Sequence, residues 1–344
     1  SLDNDKAEGI YKKQSGSLIF EKTTGLLRFK VNASLTENKY QQPSKSESNS
    51  AKFNYNSLLR VVFSPKSELI LTGSRETHQI DLNRLVDFPI HLAYDRIQKS
   101  STISSPFINK DAYSIHYRLI NNYSNLLLFV SGMYSNTKGG GLAGVTQKGI
   151  TRNLAYSDGG NEEWISLHGI ISKGIGHWPV DANIKVSWTQ SRVASSLNGM
   201  MFNTTVQVPK GEINLITRLK SIFNFDMGGL YKKNIYASYA DRKQYSELYE
   251  VHLYTYFKYE QFKGSIKYTL SKTNGGGVKR ISNNIGFLVS YNMKRILISL
   301  SGNELLHLRK NDWLMVSSSS YSSTTSHYMK MPGYLLLSCG LHFD

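Results

Sequence analysis

The 344-residue sequence has one cysteine, seven prolines and no unbroken apolar stretch long enough for a membrane helix. Each shortage excludes something. Cys339 has no second cysteine to pair with, and no Cys or His stands beside it at metal-ligand spacing. It lies in an alternating run near the end and reads as a half-buried small hydrophobe. A helical span needs roughly 18 or more consecutive apolar residues, so no transmembrane helix is available. A β-barrel needs no such run, because its inward side chains are polar and hold the mean hydropathy down. The first residues carry no basic-then-apolar leader, so a removed signal peptide or a fragment is expected. No linker, charge block or change of composition divides the chain, which therefore reads as a single region over residues 1–344.

Acidic residues are scarce as well: 25 Asp and Glu stand against 41 Lys and Arg, a formal net charge of +16. Such an excess can serve nucleic-acid binding, but here the cations are spread singly between apolar residues. There is no basic helix, finger motif or aromatic RNA-binding signature, so nucleic acid is not expected as a partner. A basic barrel lumen, or basic loops facing anionic lipid head groups, accounts for the charge.

What the chain does have is tyrosine, at 22 residues, with 14 Phe and 4 Trp. It also has persistent alternation. Leu335, Leu337, Cys339, Leu341 and Phe343 share one parity, and Leu336, Ser338, Gly340 and His342 the other. Period two is the mark of a strand with one apolar face. The same pattern runs through 27–34, 113–119, 184–189, 266–271, 284–291 and 296–301. Seven short connections follow from it: Lys22 to Gly25, Ser64 to Ser67, Asn121 to Asn125, Lys173 to Val180, Val208 to Glu212, Tyr256 to Gly264, and Asn292 to Arg295. Longer polar stretches alternate with them at 35–51, 76–111, 136–161, 191–199, 225–245, 272–280 and 302–331. Aromatics lie near strand ends, as in a membrane girdle: Tyr55, Tyr113, Tyr134, Trp164, Trp188, Tyr291 and Phe343.

The expected fold is all-β: an antiparallel transmembrane β-barrel with about 14–16 strands in this chain. The count comes to about fifteen. Bacterial single-chain barrels have even numbers, so the reading leaves room for further strands and a barrel of about 22. The first strand, near Gly16 to Glu21, is expected to run toward the short-turn end. Residues 1–344 are then expected not to close a barrel by themselves.

Two segments carry a resemblance. Residues 69–135 hold a strand, a long loop containing Asp81-Leu82-Asn83-Arg84, then a strand, an Asn-rich turn and a strand. Residues 287–313, "FLVSYNMKRILISLSGNELLHLRKNDW", are followed by the last strand "YLLLSCGLHFD". In this the chain resembles the C-terminal barrel region of TonB-dependent-receptor-like outer-membrane proteins of the Bacteroidetes type. It departs from that pattern at Ser105-Pro106-Phe107, where a Gly-Asn-Pro-like element is usual, and at its end on Phe343-Asp344. It shows no TonB box and no plug. The resemblance implies an outer-membrane location and a role in solute uptake. It implies contacts with outer-membrane lipid and with a plug or remaining barrel strands from another segment or chain. A surface lipoprotein or other complex subunits are further possible partners. The alternative is a scaffold barrel within an outer-membrane complex.

No catalytic residues and no cofactor are assigned. His116, His168, His177, His252 and His342 are scattered without metal-ligand spacing. Gly139–Gly141 and Gly275–Gly277 lack the Lys-Ser/Thr of a phosphate loop and read as loop tips. Ser317 to Ser326 with His327 is hydroxyl-rich, but nothing pairs it with an acid, and a solvated loop is the better reading. Arg28, Lys30, Arg118, Lys185, Arg218 and Lys267 fall on the polar parity of their strands, as do Arg60 and Lys220. They are expected to face the lumen. There they either select anionic solutes or pair with acids, and the scarcity of Asp and Glu makes acids from outside the chain attractive.

Overall fold

The computed structural model describes residues 10–42, 45–80, 84–85, 89–93, 96–99, 101–149, 151–176, 178–219, 222–238, 243–275, 278–293, 296–307, 311–318, 323–330 and 332–341. Its framework is one antiparallel meander in which each strand pairs with the next. The strands are β1 (Ile10–Thr24), β2 (Leu27–Gln42), β3 (Lys45–Ser64) and β4 (Ser67–Gln79). After β5 (Ile90–Ala93) and β6 (Arg96–Gln98) come β7 (Phe107–Asn121), β8 (Leu126–Lys148), β9 (Thr151–Gly174), β10 (Val180–Leu197) and β11 (Met200–Thr217). Then follow β12 (Phe223–Ala237), β13 (Lys243–Tyr259), β14 (Phe262–Gly275), β15 (Val278–Met293) and β16 (Ile296–Asn303). A separate hairpin, β17 (Asn311–Ser318) with β18 (Ser323–Lys330), precedes β19 (Tyr334–Leu341), which returns to pair with β16. Leaving out β5, β6 and that hairpin, fifteen strands form the meander among the described residues, as the alternation predicts. The sheet does not close among the described residues: β1 pairs with β2 and β19 with β16, not with each other. With fifteen antiparallel strands, β1 and β19 run in the same direction.

The turn end is well predicted. Asn121 shows why: its Oδ1 accepts hydrogen bonds from the amides of Tyr123 (3.0 Å) and Ser124 (3.4 Å), and Asn125 adopts φ 46°. An Asx turn with a left-handed Asn is an economical way to reverse a strand. Two connections were misplaced. Val208 to Glu212 is not a turn but the middle of β11, where Pro209, with no amide hydrogen, faces Trp188 of β10. β11 runs on to Thr217 and β12 begins at Phe223, so the stretch 225–245 expected as a loop holds most of β12. The two errors offset each other, which is why the strand count survives.

The long loops are the larger correction. The stretches 35–51, 136–161, 191–199 and 272–280 are mostly strand, continuing the hairpins β2–β3, β8–β9, β10–β11 and β14–β15. Alternation marks a strand only where its two faces meet different surroundings. Where both faces are wet the pattern lapses while the backbone ladder continues. One signal was available: Asn198 (φ 51°) and Gly199 (φ 82°) form a two-residue turn, and Asn-Gly is a strong hairpin cue.

Cross-strand register tracks each face across the whole meander. One face carries Leu18, Phe29, Leu59, Leu71, Ile115, Val130, Leu167, Ile184, Ile213, Met227, Leu253, Ile266, Phe287, Leu300 and Leu337. Most of these side chains are exposed, Leu18 at 81% and Leu337 at 71% accessible, while Leu59, Leu71 and Phe287 are half-buried. The other face holds the small polar residues, and there Asn38 and Ser166 are 0% accessible. This is the reverse of a water-soluble sheet. Crowded polar side chains beside spread apolar ones mark the polar face as the concave one.

Aromatic residues bound the apolar face. Toward the loop end, Tyr55 and Tyr113 share a 3.2 Å hydroxyl contact, Tyr113 stacks on Tyr134, and Tyr231 meets Tyr249 at 4.9 Å between centroids. Toward the turn end, Phe223 meets Phe257, and Phe262 meets Tyr291 at 4.4 Å. Along β13, Tyr249 and Phe257 stand about 27 Å apart at strand rise, close to the height of a barrel's apolar band. Two residues beyond the tyrosines, the same face turns charged: Arg75 pairs with Asp111 at 2.6 Å and Lys233 with Glu247 at 2.9 Å. Trp188 and Tyr291 lie on this face as expected, whereas Trp164 is paired with Ser135 and lies on the polar face. Phe343 and His342 are outside the described residues.

Leu335, Leu337 and Leu341 lie on the apolar face, and Ser338 and Gly340 on the polar one. An environment-sensitive label should therefore report lipid at Leu337 and water at Ser338. Leu337→Arg should cost about 2–4 kcal/mol of folding stability in bilayers if the site is near the midplane. Lipid contact at Ser338 with water at Leu337 would reverse the register.

Candidate functional site: the polar face and its mouth cavity

Five of the six predicted cations lie within strands on the polar face. Arg28 and Lys30 stand opposite Arg60 and Leu58, Arg118 opposite Glu68, Lys185 opposite Glu212, and Lys267 opposite Tyr254. Arg218 follows the end of β11 and bonds Asp181 of the same face. The structure thus brings all six to one surface.

It also supplies partners that the sequence reading sought outside the chain. Glu21 holds Arg28 at 2.8 Å and Lys30 at 3.5 Å. Glu68, with a side chain only 12% accessible, lies between Arg60 and Arg118, the latter at 2.8 Å. Glu212 takes Lys185 at 2.8 Å and Lys210 at 3.4 Å, and also accepts a bond from Asn214. Lys267 lies over the Tyr254 ring at 5.1 Å, a cation–π contact. These acids come from neighbouring strands. Few carboxylates suffice because each bridges two cations. Excess positive charge collects where Lys232 opposes Lys210 across β11 and β12, because Glu212 reaches only Lys210 of that pair.

The same face carries hydroxyl and imidazole pairs. Ser114 bonds Thr72 at 2.7 Å and His116 at 3.0 Å, and Ser166 bonds His168. Ser166 is fully buried, so its hydroxyl is closed to a substrate, and the pair serves to knit adjacent side chains. The Ser317–Ser326 run falls partly on the β17–β18 hairpin.

Sequence reasoning missed the organised loop between β4 and β7. Ile80, Leu85, Ile103 and Phe107 form a small buried cluster with Ile108 and Tyr156 against it. β6 pairs in parallel with Arg152–Leu154 of β9. The amides of Lys99 and Thr102 donate to the Leu154 and Tyr156 carbonyls at 2.7 and 2.9 Å. Asp158 accepts from the Ser104 amide at 3.0 Å and from its hydroxyl. Arg84 lies over the Tyr156 ring. The signal was present in the sequence: Ile80, Leu82, Leu85, Val86, Phe88 and Ile90 are too apolar for a solvated loop. Between this loop and the polar face near the loop end is a cavity of about 410 Å³. Its wall includes His78, Lys110, Thr137 and Glu162 from the sheet and Arg84 from the loop.

No known family profile matches the chain, and no curated protein matches it. Among solved structures it is similar to the ferric-catecholate import receptor Fiu of K12 E. coli, at 10% identity over 98% of this chain and 62% of that one, TM-score 0.45. It is similar to the siderophore receptor PirA of Acinetobacter baumannii at 10% identity, over 98% of this chain and 57% of that one, TM-score 0.44. It is also similar to OmpT, an outer membrane protein of Vibrio cholerae, at 10% identity over 83% and 97% of the two chains, TM-score 0.31. The chain thus spans about three-fifths of the length of the two receptors.

Glu68 is the most enclosed of the three bridging acids, and both of its partners are arginines. Glu68→Gln leaves Arg60 and Arg118 side by side without a counter-charge. The expected loss is about 1.5–3 kcal/mol, the range for hydrogen bonds to charged groups. Urea unfolding from lipid vesicles measures it, and an unchanged midpoint would show that the bridge contributes nothing.

Proposed function

We propose that the chain forms most of an outer-membrane β-barrel of the TonB-dependent transporter type, with its polar concave face lining a path for solute. The observation that carries this reading is the inverted sheet: apolar side chains outward between two aromatic rows, ion pairs and small polar groups inward. A face of that composition is stable only against hydrocarbon, and its opposite face only against water or protein. The six cations Arg28, Lys30, Arg118, Lys185, Arg218 and Lys267 then line the lumen. A basic lumen favours anionic solutes.

The open edges support a companion reading of the domain. In lipid an unpaired strand edge is costly, so β1 and β19 each need a neighbour. Because the two run in the same direction, antiparallel closure requires an odd number of additional strands between them. Seven would complete the 22-stranded barrel of outer-membrane transporters. These strands, and a plug, come from another segment or chain. In the full-length protein, Ile298→Cys should form a disulfide with the native Cys339, its register partner. Leu18→Cys should not. Efficient Leu18→Cys–Cys339 bridging would place β1 directly against β19 and remove the need for extra strands.

The path itself is tested electrically. Full-length protein in planar bilayers under a salt gradient should give currents whose reversal potential favours anions. Replacing Lys185, Lys210 and Lys232 with Gln should move that potential toward zero. Cation preference in the unmodified protein would rule out a basic path. An electrically silent protein would favour the alternative, a scaffold barrel within an outer-membrane complex.

A further inference from the structure

We propose that the mouth cavity binds a short peptide by its two charged ends, an inference that rests on the solute-path reading above. The cavity, about 410 Å³, is of a size that suits a small ligand. Its charges are mixed. Arg84 enters from the β4–β7 loop, Lys110 from β7 and Glu162 from β9. Among the described residues none of these three takes part in an ion pair, whereas Glu21, Glu68 and Glu212 elsewhere on the polar face each hold cations. His78 is already engaged, its Nε2 3.0 Å from Glu76.

Unpaired charges of both signs around one cavity select against a ligand of one sign. An anion gains from Arg84 and Lys110 but meets Glu162. A cation gains from Glu162 but meets the two bases. A ligand with a carboxylate at one end and an ammonium at the other satisfies all three, and it carries little net charge into the site.

Register sets the length of such a ligand. Lys110, Thr137 and Glu162 lie in one row across β7, β8 and β9. Two inter-strand spacings separate Lys110 from Glu162, about 9.6 Å. An extended three-residue chain spans about 10 Å. The Thr137 hydroxyl and the Asn161 amide supply donors and acceptors for the peptide groups in between. Ile80, Ile108 and Val193 line the remainder and accept small apolar side chains. The carboxylate is placed at Arg84 and Lys110, the ammonium at Glu162.

Calorimetry on the full-length protein in detergent tests the assignment, with trialanine, N-acetyl-trialanine and trialanine amide as probes. Trialanine should bind at least about tenfold more tightly than either blocked form, a difference of about 1.4 kcal/mol. Glu162→Gln should erase the preference over N-acetyl-trialanine and keep the preference over the amide. The double variant Arg84→Gln, Lys110→Gln should do the reverse. This crossed pattern cannot come from a variant that merely misfolds, because misfolding weakens all three probes together. Equal binding of all three probes, no binding of any, or an equal loss with all three would overturn the proposal. Conductance of the same preparations separates the two readings. Anion-selective current without peptide binding overturns the peptide site alone, and absence of current overturns the path.

Discussion

A backbone amide in hydrocarbon has no water to bond, so its only partner is another backbone. Everything in this sheet follows from that constraint. Each strand of the meander between β1 and β19 has a neighbour on both sides, and the chain reverses by short turns at one end so that each strand meets the next in antiparallel register. Pro209 shows how strict the requirement is. It sits in mid-strand on β11, where Val208 and Pro209 drop out of the ladder to β12 while their neighbours Gln207 and Lys210 stay in it. The same requirement makes the outer edges of β1 and β19 the most reactive part of the fold.

With the backbone satisfied, side chains divide by face. The apolar face needs area and little specificity, and it is filled by Leu, Ile, Val and Phe that touch few neighbours of their own chain. Glycines there are roofed by those neighbours: a side chain at Gly132 would meet Ile115 and Leu167. Specific contacts concentrate on the polar face, where curvature crowds the side chains and low-dielectric walls strengthen electrostatics. Glu21, Glu68 and Glu212 each hold two bases there, leaving each triad with one net positive charge. The cations nearest these three acids are therefore held by the chain's own carboxylates. The mouth is different, since Arg84, Lys110 and Glu162 line one cavity with no ion pair among the described residues.

How much could be read in advance depended on whether one strand alone held the information. The facing of Leu337 and Ser338 was legible because period-two alternation is a property of consecutive residues. So was the parity of Arg118 and Lys185. The turn at Asn121–Asn125 was legible because an Asn side chain bonds its own backbone. The reading failed at β12, where Gly228-Gly229 and Lys232-Lys233 interrupt the alternation; a Cβ at Gly228 would lie on the Asn214 side chain and close to the His252 ring. It failed also beyond the aromatic rows, where both faces are wet and alternation lapses. Trp164 was assigned to the girdle by its type, but parity turned it to the other face.

The sequence by itself determined that the chain is a run of strands with one apolar and one polar face, their approximate number, and the face on which the six cations stand. Periodicity and turn chemistry are local, and they survive without any knowledge of neighbours. Only the tertiary structure decided which acid meets which base, that the β4–β7 segment folds into a small core, and that Arg84, Lys110 and Glu162 surround one cavity. Glu68 lies 50 residues from Arg118 in the chain and directly opposite it in the sheet. Arg84 reaches Tyr156 only because β6 has docked on β9. Such meetings depend on register between distant strands, and register is fixed by the summed fit of whole faces, which no single stretch of sequence contains.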